Sequence, residues 1–147
     1  MKATLKFLLV LMVAALPAWA ALGEYEGSVS LDQQILRGEI REEVHSGYKI
    51  HQIITSEGSV VREYVSPEGK IFAISWQGRV LPNFQQLLGS YFPRVQQAVQ
   101  AKTPRGGPLV VQTEEFVFIS AGRMMNFHGS AYVPSLLPKN VTAEVVR

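Results

Sequence analysis

The chain of 147 residues contains no cysteine. That absence excludes disulfide staples, thiolate catalysis, cysteine-ligated zinc and a lipid anchor on an N-terminal cysteine. Net charge is also nearly missing. There are 14 Lys and Arg against 12 Asp and Glu, and two of the bases, Lys2 and Lys6, stand ahead of an apolar run at the N-terminus. Without those two the charges balance, which leaves no electrostatic case for nucleic acid. Long apolar runs are scarce too. The single one, Phe7 to Trp19, has 13 residues, whereas a spanning helix needs about 20. No His-Glu-x-x-His, Gly-x-Ser-x-Gly or Gly-rich phosphate loop occurs.

What stands at the N-terminus has the order of a secretory leader. Lys2 and Lys6 are followed by the apolar run Phe7 to Leu16, by Pro17, and by Ala18-Trp19-Ala20. Small residues at the third-last and last of these positions fit cleavage after Ala20. The expected organisation is a signal peptide over 1–20 and one domain over 21–147, soluble and without a membrane span once the leader is removed. A chain of this length can bury roughly two-thirds of its unfolded surface, enough for one core.

Residues 21–47 carry little pattern. Ser30 to Leu36 fits either one helical turn capped by Ser30 or irregular chain. From Tyr48 the pattern sharpens. Tyr48–Thr55, Val60–Val65 and Ile71–Trp76 read as strands separated by Ser56-Glu57-Gly58-Ser59 and Ser66-Pro67-Glu68-Gly69, a β-meander. A two-residue turn at Glu57-Gly58 would set His51 opposite Tyr64, and a three-residue loop over 67–69 would set Tyr64 opposite Phe72. Alternation then gathers His51, Ile53, Arg62, Tyr64, Phe72, Ile74 and Trp76 on one face and the aliphatic side chains on the other.

Phe84, Leu87, Leu88 and Tyr91 follow at helical spacing behind Pro82-Asn83, with Asn83 as cap. Pro93 kinks the pattern, and Val95, Ala98 and Val99 resume it. Leu109–Val111, Phe116–Ile119 and Phe127–Val133 read as further strands, the last ended by Pro134. The chain after Pro138 reads as irregular. The predicted fold is α+β: a mostly antiparallel sheet, meander plus C-terminal strands, with one kinked helix on a face.

Little here carries chemistry. His45, His51 and His128 match no metal spacing, so neither a metal nor a cofactor is expected. Asp32 and Glu63 are nominees for an acid pair, with nothing in the sequence to bring them together. The most pointed feature is the aromatic set on the meander. Arg62, Tyr64, Phe72 and Trp76 form the expected binding surface, aromatics for contact area and Arg62 for stacking or carboxylate pairing. The competing reading makes the same rings core beneath the helix.

Val61-Arg62-Glu63-Tyr64-Val65-Ser66-Pro67, Gly69, Phe72-Ala73, Ser75-Trp76 and Gly78, followed by Pro82, Leu87-Leu88-Gly89, Tyr91-Phe92, Phe127, Gly129, Ala131-Tyr132 and Pro134, resemble an exported bacterial family, the domain-of-unknown-function family 2844. The family pattern has arginines near Met125 and Ser130 that this chain lacks. The resemblance implies export, a proteobacterial source and one domain, and brings no activity, cofactor or catalytic residue. Together these readings point to a non-catalytic periplasmic or secreted module that binds an envelope protein or ligand. The alternative is a hydrolase acting on envelope material. N-terminal sequencing of the processed protein should begin at Ala21. A full-length chain in the membrane fraction would contradict the leader.

Overall fold

A computed structural model of the protein describes residues 22–102 and 106–147. The leader read over 1–20 lies outside the described residues, as does part of the loop after Lys102. In chain order the elements are α1 (Val29–Leu36), β1 (Gly38–His45), β2 (Tyr48–Thr55), β3 (Val60–Val65), β4 (Ile71–Gly78), α2 (Phe84–Leu88), α3 (Phe92–Ala101), β5 (Leu109–Gln112), β6 (Val117–Arg123) and β7 (Asn126–Tyr132). The strands form one antiparallel sheet in the order β1-β2-β3-β4-β7-β6-β5. The fold is α+β, and β3 and β4 lie inside the sheet.

Two local features set which side chain meets which. The β2–β3 loop is Ser56-Glu57-Gly58, one residue longer than the predicted turn. Gly58 has φ +80°, its N–H donates to the Thr55 carbonyl at 2.9 Å, and the Thr55 N–H donates to the Ser59 carbonyl at 2.8 Å. The type I turn with a left-handed glycine that Pro67–Gly69 predicts for the next hairpin is also used here. The pairing therefore moves by one: Tyr64 faces Ile50 and Glu63 faces His51.

The second feature is a β-bulge. The 67–69 loop pairs Val65 with Ile71 as expected, but Tyr64 pairs with Ala73, leaving Phe72 extra. A bulge turns two neighbours toward one face. Phe72 and Ala73 both join Tyr64, while Ile71, Ile74 and Trp76 join Ile53 and Val61 opposite. The predicted single aromatic face is thus divided.

Helices cover the first face. α1, in the stretch that carried little pattern, lies over β1 and β2, and α2 and α3 form the predicted broken helix. Asn83 caps α2, its side-chain oxygen accepting from the Gln86 N–H at 3.3 Å. The break comes at Gly89–Tyr91, a single 3-10 turn, and Pro93 sits in the first turn of α3, where a missing N–H costs nothing. Leu22, Val29, Leu87, Leu88 and Val95 pack on Ile53, Ile74, Trp76 and Phe118.

The last residues of the chain cover the second face. Leu136, Leu137, Val141, Val145 and Val146 pack on Ile50, Tyr64, Phe72 and Ala73. This segment has two short 3-10 turns and is pinned through its main chain. The Tyr64 hydroxyl donates to the Arg147 main-chain oxygen at 2.9 Å and accepts from the Arg147 N–H at 3.0 Å, and Ser75 Oγ donates to the same oxygen at 2.5 Å.

Leu88 is fully buried. Leu88→Ala should cost about 2–5 kcal/mol, a large share of a total of roughly 5–15 kcal/mol. Chemical denaturation measures it, and a near-neutral result would mean that this side chain does not pack against the sheet.

Candidate functional site

The structure brings Asp32 and Glu63 together. Asp32 projects from α1 and Glu63 from β3, both with no exposed surface. Gln86 of α2 completes the group, its Nε2 donating to Asp32 Oδ1 at 2.5 Å. Neither Glu63 oxygen has a hydrogen-bond partner of ordinary geometry, nor does Asp32 Oδ2. Burial pushes the Asp32 carboxyl above its ordinary value, against the opposing pull of Glu63 and Gln86. Burial, reinforced by hydrogen bonding to Asp32 and by its charge, pushes Glu63 well above the ordinary glutamate value. Two buried carboxyls in contact do not both ionise readily, so the pair retains a proton to a pH above the ordinary carboxylate range. The pair ties α1 to the sheet and to α2, and it is sealed from any substrate.

A second polar group lies on the same face nearer the β1 edge. His51, directly across from Glu63, is nearly buried, and its Nε2–H donates to Glu26 Oε1 at 2.7 Å. Lys49 Nζ is 2.5 Å from that same oxygen and 3.9 Å from Glu42. Burial raises the Glu26 carboxyl, but Lys49 and His51 outweigh it and the net shift is downward. Glu26 in turn raises Lys49. Glu26, Glu42 and His51 present atoms within 4.8 Å of one another and have the donor set of a cation site. The Lys49 ammonium already supplies the positive charge there, and the sequence expectation of no metal stands as an expectation.

The residues expected to bind a partner lie elsewhere than on one open surface. Tyr64, Phe72 and Trp76 are 1%, 0% and 3% exposed. Tyr64 and Phe72 sit beneath the C-terminal segment, with Tyr48 against both rings at 6.2 Å. Trp76 lies on the helix face between Phe84 and Phe118, with ring centroids at 4.8 and 5.4 Å. Gly129 across from it is required by this packing, since a Cβ there would come within 2.5 Å of the indole. Arg62 is half-buried between Gln52 and Ser75 on the second face. The bulge, not readable from residue type, puts Trp76 on the face opposite to Arg62, Tyr64 and Phe72.

An apolar groove of about 530 Å³ remains open between α3 and the β5–β6–β7 end of the helix face. Phe84, Phe92, Val95, Leu109, Phe118 and Phe127 line it. Val99 stands at its edge, 55% exposed. Its polar lining is Gln96, Gln100, Ser120 and Lys102, with no carboxylate among the described lining residues. The signal in the sequence was Val99, which extends the α3 stripe by a turn beyond what the sheet covers.

A family model described as "Protein of unknown function (DUF2844)" matches residues 18–146. No curated protein and no solved structure matches the chain.

The Glu63 proton makes stability depend on pH. The unfolded chain releases this proton near the ordinary value of 4.5, whereas the folded chain keeps it to higher pH. Stability is therefore full below that value and falls as pH rises toward the folded one, by up to about 1.4 kcal/mol per pH unit. Glu26 acts in the opposite window, below 4.5. Glu63→Gln, which cannot ionise, should flatten the decline above the ordinary glutamate value of 4.5. Parallel wild-type and variant curves would contradict the retained proton.

Proposed function

The chain belongs to the domain-of-unknown-function family 2844, and from that premise we propose that it is an exported, non-catalytic module of the bacterial envelope, periplasmic or secreted, that binds an apolar ligand or partner through the α3 groove. The groove carries this reading. Aromatic side chains with exposed apolar edges form a concave strip that the fold does not fill, and such a strip is the usual form of a binding site. The Lys2-to-Ala20 leader supports export. No helix among the described residues is long and apolar enough to cross a membrane.

The alternative, a hydrolase acting on envelope material, needs an acid, base or nucleophile open to substrate. Asp32 and Glu63, whose carboxyls are both raised by burial, have no exposed surface, and the aromatic-lined α3 groove has no carboxylate in its lining among the described residues. Both observations favour binding.

The neutral apolar dye N-phenyl-1-naphthylamine tests the groove. Its fluorescence should rise with the processed protein. Val99→Glu, at an exposed position, should leave the melting temperature unchanged and weaken dye binding about tenfold, the loss of roughly one buried side chain. Equal binding by the variant would remove the groove as the site.

A further inference from the structure

We propose that the α3 groove takes a single-chain anionic amphiphile of the fatty-acid type, its hydrocarbon tail lying along α3 and its carboxylate at Lys102. The inference rests on the groove reading above and adds the ligand's chemistry. The groove is a strip. Phe92, Val95, Gln96, Val99 and Gln100 line it from α3, following the i, i+3, i+4 spacing of a single face, and Lys102 extends the strip just past the helix end, over a length of about 15 Å in all. The end near Phe92 and Phe84 is aromatic and apolar. The other end carries Lys102, the only charged residue in the described lining. A linear apolar surface ending in one cation matches a linear apolar chain ending in one anion.

Lys102 is placed for this role by the chain around it. It caps α3, its N–H donating to the Val99 carbonyl at 3.3 Å, so its position relative to the strip is fixed. Its ammonium donates to the Gly107 carbonyl at 2.6 Å, which holds the head beside the groove and leaves two of its three hydrogens for an incoming oxygen. No carboxylate among the described residues lies within ion-pair distance of it. The tail contributes affinity by apolar burial, and the head fixes direction. Gln96, Gln100 and Ser120 provide neutral polar contact without repelling an anion.

The experiment uses the processed protein and cis-parinaric acid, an intrinsically fluorescent fatty acid, beside its methyl ester. Trp76 is then the only tryptophan, since Trp19 is in the leader. It packs edge-on against Phe84 of the groove, so energy transfer from Trp76 to the bound polyene reports location. The expected result is energy transfer on binding, with the acid held more tightly than the ester. Lys102→Gln should weaken the acid roughly fivefold and leave the ester unchanged. Val99→Glu should weaken both, with melting temperatures unaltered. Equal affinity for acid and ester, or a Lys102→Gln variant that keeps its preference for the acid, overturns the anionic head group. Absence of parinaric acid binding while the neutral dye still binds in a Val99-dependent way overturns the acyl ligand and leaves the groove reading standing. Failure of both probes removes both. Binding to phosphatidylglycerol vesicles without uptake of monomeric acid would assign the surface to a bilayer and also overturn the proposal.

Discussion

The constraint on which the rest of this molecule depends is that β3 and β4 are buried on both faces. From Val61 to Trp76 nearly every strand residue is out of contact with water. A sheet with one wet face needs one covering layer, but this one needs two. The helices provide the first, on Ile53, Val61, Ile74 and Trp76. The second is a segment with little regular structure, residues after Tyr132, held to Tyr64 and Ser75 through its main chain. The bulge at Phe72 divides the aromatic residues between the layers. Without it Phe72 would stay beside Tyr64, but Ile74 and Trp76 would turn away from the helices and toward the C-terminal segment.

The same two-sided burial explains the odd chemistry of Glu63. A central strand places this carboxyl where water cannot reach, and the ionised form alone would be costly. The fold answers with a second acid, Asp32, and an amide, Gln86, brought from two separate helices. The charge on the pair is limited by retention of a proton. The group joins α1, β3 and α2 at one point, at the cost of stability that falls with rising pH. Its place in the molecule is the point where α1 docks on the sheet beside α2.

How far this was legible in the residues varied with what each feature rests on. The meander and the broken helix were legible because turn glycines and apolar periodicity are local signals. β1 was not, since Glu39, Arg41, Glu42 and Glu43 make it an exposed, charged edge strand whose pairing with β2 comes from tertiary context. The register was missed by one residue because Gly58 serves a three-residue loop as readily as a two-residue turn. The bulge has no residue-type signature at Phe72-Ala73. The missed bulge put Trp76 on one face with Tyr64 and Phe72 and turned a set of core residues into an apparent surface. Asp32 and Glu63 were visible as acids, but their meeting depends on α1 folding back over the β1–β2 end of the sheet. The groove was legible only as Val99, an apolar residue continuing a stripe past the sheet beneath it.

The functional reading follows from the same geometry, since a sheet covered on both faces leaves binding to the place where coverage ends, at the β5–β7 margin beside α3. The central claim is that the segment after Pro138 is a structural layer of the core. The direct measurement is the thermal unfolding of a chain stopped after Pro138. This removes Val141, Val145 and Val146 from Tyr64 and Phe72, together with the Arg147 hydrogen bonds. The account predicts a fall in melting temperature on the order of 10 °C or more, with new binding of apolar dye at the exposed Tyr64 and Phe72 rings. A shortened chain that melts where the full one does, with no new dye binding, would contradict it.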